Sequence, residues 1–186
     1  MSQITVTKCP IEGLYIIEPT IHGDERGNFF ESYHQRDLEE AGIKLKFVQE
    51  NQSFSAKGVL RGLHFQKKYP QAKLARVMAG SGFDVAVDLR PDSGTYKRWY
   101  GVELSSENHK QFLIPAGFAH GLLVLSDTAL FTYKCTDYYH PEDEGGIAWN
   151  DPEIGVEWPV KKTVDGRYEM LDGTKIQLSE KDQKWS

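Results

Sequence analysis

Gly58-Val59-Leu60-Arg61-Gly62-Leu63-His64-Phe65-Gln66 brings an imidazole and a guanidinium into one stretch, and the Lys73 ammonium follows a little further on. An imidazole with an unperturbed pKa of ~6.5 can take a proton at neutral pH. The two cations can hold an anionic group or steady negative charge as it develops. Leu60, Gly62, His64 and Gln66 alternate with Arg61, Leu63 and Phe65, the period of a strand with one face turned toward something polar. Strict alternation sets Arg61 opposite His64, so Gly62 must host a bulge or bend if both line one pocket. A lone strand histidine is ordinarily a hydrogen-bonded core residue, and only other reactive groups converging on the same place raise it above that.

The elements that must position these groups read as a succession of short strands. Gly13-Leu14-Tyr15-Ile16-Ile17-Glu18-Pro19 is a buried strand closed by proline, and Gly23-Asp24-Glu25-Arg26-Gly27 is a tight bend. The bend leads into a strand over 28–33 that carries Glu31; alone, Arg26 and Glu31 are surface charges. One helix is predicted over 36–41, with acids in its early turns and Gly42 as its stop. From Phe47 to Ser53 a strand turns polar, and alternation puts the Gln49 and Asn51 amides on one face, where they can bond a ligand or a neighbouring loop. Residues 74–78 and 83–89 read as strands bridged by Gly80-Ser81-Gly82, with Asp84, Ala86 and Asp88 on one face; an acid there either faces water or meets a partner. Strands follow at 99–104 and 111–115, then a glycine-bounded turn around His120. A long strand over 129–139 puts Phe131, Tyr133 and Cys135 on one side, where Tyr133 either packs or faces a pocket. Residues 144–159 are irregular and aromatic, and 167–176 read as a hairpin around Asp172-Gly173.

A chain of 186 residues with 12% aromatics, 17 Gly and 8 Pro suits a single domain, 1–186, of short strands and tight turns, with a C-terminal extension at about 160–186. So many strand-like runs with little helix predict an all-β fold of two antiparallel sheets, a barrel or jelly roll with a few short peripheral helices. The net charge of −5 excludes a nucleic-acid-coating surface, so a phosphate-bearing ligand would be held by a few placed cations. Cys9 and Cys135 lack paired spacing, which fits reduced structural thiols. No basic-then-apolar leader opens the chain and no apolar run approaches bilayer length, so the protein is expected to be cytoplasmic, with neither membrane nor nucleic acid as partner.

Jelly rolls of the cupin type often bind a metal through two strand motifs, one with His-x-His and then Glu, the other with Pro-x-Gly-x-x-His and then Asn. Both are present in altered form. His64 keeps its place, but Gln66 stands at the second histidine position and Lys73 where the glutamate belongs; Pro115-x-Gly117-x-x-His120 is kept, with Val124 in place of asparagine. A Zn²⁺ or Fe²⁺ site needs several N, O or S ligands, and an ammonium repels the ion. No metal is therefore expected.

Over nearly its whole length the chain resembles the dTDP-4-dehydrorhamnose 3,5-epimerase family. The resemblance rests on Gly23-Asp24-Glu25-Arg26-Gly27, Phe47-Val48-Gln49-Glu50-Asn51, the segment 59–66, Phe83-Asp84-Val85-Ala86-Val87-Asp88, the segment 114–121, Tyr133-Lys134-Cys135-Thr136 and Gly155-Val156-Glu157-Trp158-Pro159. Each piece alone is weak, but so many in order are specific. It implies a cupin-type jelly roll and a cofactor-free inversion of C3 and C5 of dTDP-4-dehydro-6-deoxy-D-glucose. Protons beside a ketone are acidic because removing one gives an enolate, so the reaction needs a base, a cation at the C4 oxygen and an acid on the opposite face. The resemblance assigns these roles to His64, Lys73 and Tyr133, with Asp182, from Leu178-Ser179-Glu180-Lys181-Asp182, orienting the base. It also implies that Arg26, Arg61 and Lys181 lie near the diphosphate, that Glu31, Gln49, Asn51 and Glu144 bind the base or sugars, and that His120 touches substrate. A homodimer exchanging N-terminal strands would bring Arg26 and Glu31 to the partner's pocket. Tyr138 is either a thymine stacker or an ordinary strand aromatic, and His120 with Asp84 forms a second polar pair of unassigned role. The run between Pro159 and Leu178 is longer than is usual in the family, a departure at the approach to Asp182.

Two readings from other classes compete. A metal-dependent cupin oxygenase is opposed by Gln66, Lys73 and Val124 at ligand positions, and a metal analysis separates it. A non-catalytic nucleotide-sugar binding module would need neither His64 nor Tyr133. Within the epimerases, a relative that inverts one carbon or takes another 4-keto nucleotide sugar stays open.

Overall fold

The computed structural model describes residues 2–185. In chain order its elements are β1 (Ile4–Lys8), β2 (Tyr15–Pro19), β3 (His22–Asp24), β4 (Gly27–Phe29), α1 (Gln35–Glu40), β5 (Gln49–Ala56), β6 (Leu60–Gln66), β7 (Lys73–Ala79), β8 (Ser81–Asp88), β9 (Trp99–Ser105), β10 (Gln111–Ile114), β11 (Phe118–Val124), β12 (Thr128–Cys135), β13 (Glu144–Gly146), β14 (Val160–Lys162), β15 (Tyr168–Met170) and α2 (Glu180–Gln183). A six-stranded sheet runs β1-β2-β10-β7-β12-β5 and a five-stranded sheet runs β13-β6-β11-β8-β9, with antiparallel pairing in both. This is the cupin-type jelly roll that the strand pattern and the resemblance imply.

Period-2 alternation turns one face of each sheet inward. Ile16, Ala75, Val77, Phe112 and Phe131 of the six-stranded sheet meet Ala86, Leu104, Leu122 and Val124 of the five-stranded sheet in one buried cluster. The back of the five-stranded sheet is covered too: Leu60, Leu63, Val85, Val87 and Leu123 pack under Trp149 and Trp158, joined by Val160, Tyr168, Ile176 and Leu178. On the back of the other sheet, Leu38 and Ile43 of the α1 region cover Ile17, Leu74 and Leu113. Each such large side chain moved from water into the core contributes roughly 1.5–3 kcal/mol.

Several elements depart from expectation. The strand expected over 28–33 ends at Phe29, where the short β3–β4 hairpin closes with every residue exposed. Gly80 does not join paired strands, because β7 and β8 lie in different sheets and the chain crosses the barrel there. His120 sits within β11 rather than in a turn, since the turn is over by Gly117. At the C-terminus the paired strands are β14 and β15, and only the single bridge Glu169–Lys175 closes beyond Asp172-Gly173.

Candidate active site

A cavity of about 390 Å³ opens at one end of the barrel between the two sheets. From the five-stranded sheet, β6 and β11 supply Arg61, His64 and His120; from the six-stranded sheet, β5, β7 and β12 supply Asn51, Lys73 and Tyr133. The strand pairing explains how Arg61 and His64 share it. Opposite β11, His64 pairs with His120 while Arg61 pairs with Leu122, so the register slips by one residue between them. Gly62 carries the slip at φ +128°, and a Cβ there would stand 2.6 Å from the Gly121 Cα, so no larger residue fits. Arg61 is then steadied by Ser55, whose Oγ accepts from Nε at 3.2 Å and Nη2 at 3.0 Å.

His64 is held from the far end of the chain. Its Nε2 lies 2.5 Å from Asp182 Oδ1, and the other oxygen, Oδ2, accepts from Ser179 Oγ at 2.7 Å. Burial would raise the Asp182 carboxyl, but hydrogen bonds from His64 and Ser179 outweigh it and hold it below the ordinary value. An ionised carboxylate only accepts, so Nε2 carries the ring proton and Nδ1 keeps its lone pair. α2, which bears Asp182, is capped by Ser179 and pinned by a close Lys181–Glu144 ion pair. Trp185 lies against Gly146, the cross-strand neighbour of His64, where a Cβ would come within 2.5 Å of the indole.

Across the cavity, Tyr133 stands beside Asn51, its cross-strand partner on β5. Burial raises the Tyr133 pKa, so the group is a protonated donor at neutral pH. Lys73 Nζ sits 5.6 Å from the centre of the Tyr133 ring, and burial pushes its pKa down. Beside these, His120 Nε2 lies 2.8 Å from Asp84 Oδ1, the partner that an acid on an apolar strand requires. Burial lowers the His120 pKa against the pull of Asp84, leaving the ring neutral.

A base held by a carboxylate on one sheet, facing a phenol and an ammonium on the other, is what deprotonation and reprotonation on opposite faces of a carbon need. The family model described as dTDP-4-dehydrorhamnose 3,5-epimerase matches residues 8–186. The chain belongs to this family. It is 50% identical over 185 residues to the dTDP-4-dehydrorhamnose 3,5-epimerase of Methanothermobacter thermautotrophicus, covering 100% of this chain and 95% of that protein. With the enzyme of Salmonella typhimurium the identity is 55% over 159 residues, 84% of this chain and 87% of the relative. The crystal structure of dTDP-6-deoxy-D-glucose-3,5-epimerase from Legionella pneumophila, in complex with dTDP-4-keto-L-rhamnose, superposes with a TM-score of 0.88 at 50% identity, covering 97% of this chain and 90% of that one.

Against the roles that the dTDP-4-dehydrorhamnose 3,5-epimerase family implies, the cavity wall holds His64, Lys73, Tyr133, Asp182, Asn51, Arg61, His120, Glu144 and Lys181. Gln49 stands one layer behind, donating to Asn51 Oδ1 at 2.9 Å and accepting from the Tyr139 N–H at 3.1 Å. Arg26 and Glu31 are not brought in: both are exposed, and Arg26 pairs with Asp24 at the tip of the β3–β4 hairpin. Tyr138 is exposed at 62% outside the cavity, and Tyr139 takes the wall position, its hydroxyl donating to Glu144 at 2.7 Å. Counting by twos from Tyr133 reaches Tyr139, a signal in the sequence that favoured it. Ser179 was also findable, since Ser-x-x-Asp is a capping pattern.

The donor set does not fit the divalent cation that cupin pockets often carry. His64 and His120, each with Nε2 on a carboxylate, offer one ring nitrogen apiece, fewer than the three or four ligands such an ion takes; the Gln66 amide at the next ligand position bonds the Tyr69 carbonyl and the His140 N–H instead, and Lys73 brings a positive charge. Among the described residues the group of His, Asp and Glu close enough to share an ion is Glu31, His34 and Asp37, outside the cavity wall, where His34 caps α1.

Proposed function

We propose that His64 and Tyr133 work as base and acid on the two faces of one sugar ring. By family the chain is a carbohydrate epimerase, inverting C3 and C5 of dTDP-4-dehydro-6-deoxy-D-glucose to give dTDP-4-dehydro-L-rhamnose. His64 Nδ1 takes the proton beside the C4 ketone, the C–H electron pair moves into the carbonyl, and the enolate oxygen rests against the Lys73 ammonium. The pair then returns to carbon and takes the Tyr133 proton from the other side. Asp182 fixes the base's tautomer and steadies the imidazolium. Arg61 and Lys181 receive the diphosphate, Asn51, Gln49 and Glu144 the sugars or thymine, and His120 faces the sugar. The observation that carries the reading is the placement of His64 and Tyr133 on opposed sheets of one cavity.

The reading includes a cytoplasmic homodimer. The unpaired thiols Cys9 and Cys135 suit a reducing compartment, and no helix of the described residues is long and apolar enough to cross a membrane. An exposed hairpin bearing Arg26, with apolar Phe29 71% and Phe54 67% exposed, suits an arm that completes a second copy's pocket.

The test is incubation with dTDP-4-dehydro-6-deoxy-D-glucose in D2O with excess chelator. Deuterium is expected at both C3 and C5 of an L-configured product, because no step needs a Lewis acid. Loss of turnover on chelation, restored by one added metal, would overturn the metal-free scheme.

A further inference from the structure

Inverting two carbons with one base and one acid leaves a proton in the wrong place after the first inversion. His64 has gained a proton from carbon and Tyr133 has given one up, so the second inversion cannot begin until a proton passes from imidazolium to phenolate. The sugar lies between them. This inference rests on the acid and base roles proposed above.

One residue touches both sides. His120 is the cross-strand partner of His64, and its ring meets Tyr133 edge-on with centroids 6.2 Å apart. It repeats the arrangement of the base, with Nε2 on a buried carboxylate, so its Nδ1 also keeps a lone pair. Asp84 is completely buried, and its Oδ2 has no hydrogen-bond partner among the described residues. At 2.8 Å from Nε2, its carboxyl is placed to balance a positive charge formed on the His120 ring. We propose that His120, backed by Asp84, is the proton relay that resets the site between the two inversions. Its Nδ1 takes a proton from the His64 imidazolium across water that exchanges with solvent, so the proton passed on is solvent-derived, and the imidazolium so formed is steadied by Asp84. The same nitrogen then gives the proton to the Tyr133 phenolate. One proton moves, no electrons are gained or lost, and all three rings return to their starting states. The neutral resting state of His120 suits an acceptor, and burial makes the Tyr133 phenolate a strong final acceptor.

The experiment measures the ratio of the second inversion to the first, by NMR in D2O, in His120→Gln and in Asp84→Asn, with circular dichroism to verify folding. In both variants the ratio is expected to fall about tenfold or more, with singly inverted sugar accumulating, whatever happens to the absolute rate of the first step. Because a small buffer base can carry the same proton through the open cavity, added imidazole should restore the ratio in His120→Gln in proportion to its concentration. An unchanged ratio, or a fallen one that imidazole leaves untouched, would overturn the relay. Failure of the base and acid assignment would look different: His64→Ala would then keep its exchange and Tyr133→Phe its inversion, whatever the ratio in His120→Gln.

Discussion

His64 depends on Asp182 for its chemistry, because without an acceptor at Nε2 the imidazole is free to place its proton on the nitrogen that must act. His64→Ala should therefore lose deuterium exchange at both carbons by ~10²–10⁴-fold. Asp182→Asn offers an N–H to the ring and favours the wrong tautomer, so exchange should fall ~10²-fold or more with the fold intact. Undiminished exchange in His64→Ala would remove the assignment. At this scale much was legible in the sequence. His64, Lys73, Tyr133 and Asp182 are drawn together from four segments, and Arg61 joins them only because Gly62 breaks the alternation, as a pocket shared with His64 required. The choice between neighbouring tyrosines went the other way: Tyr139, on the Tyr133 side by alternation, lines the cavity, and Tyr138 does not, although the strand itself stops at Cys135. Arg26 and Glu31, to which the resemblance gives substrate contacts, do not line the cavity.

Among the elements, α2 shows how little local sequence can say about position. Four residues do not hold a helix alone. This one is fixed by its Ser179 cap, the Lys181–Glu144 pair, the reach of Asp182 to His64 and the seating of Trp185 on Gly146. The cap could be read from the residues; the contact across 118 residues came only with the resemblance, which set Asp182 behind the base, because nothing near residue 182 itself names its partner. The end of β8 offers a separable test. Asp88 is fully buried and accepts from Arg90 Nη2 at 2.7 Å, Ser93 Oγ at 2.6 Å and Thr95 Oγ1 at 2.7 Å, tying down the turn that follows. Burial alone would raise its pKa, but these bonds outweigh burial and hold it well below the usual carboxylate range. A depressed folded pKa contributes stability above the unfolded value of ~3.9, and that stability drains away as pH falls through the folded value. Asp88→Asn should cost ~1–3 kcal/mol at pH 7 in urea unfolding. The gap from the unmodified chain should narrow in acid, and a gap independent of pH would contradict the account.

For the whole molecule, strand count and alternation were enough to predict two antiparallel sheets, since each sheet needs one face buried and period 2 shows which. Connectivity was less visible. A glycine between two alternating runs reads as a hairpin, yet β7 and β8 part company at Gly80 because each finds better partners in the other strands of its own sheet. That parting puts Lys73 and Tyr133 on one wall and His64 and His120 on the other. The most direct measurement of whether the two walls act on opposite faces of the sugar uses Tyr133→Phe, which keeps the ring and its packing but deletes the proton donor. Exchange in D2O and product stereochemistry would be followed by NMR in the same samples. Exchange at C3 and C5 should continue through His64, while inversion falls by about tenfold or more beyond any loss of exchange. Equal loss of both, or loss of neither, would contradict it.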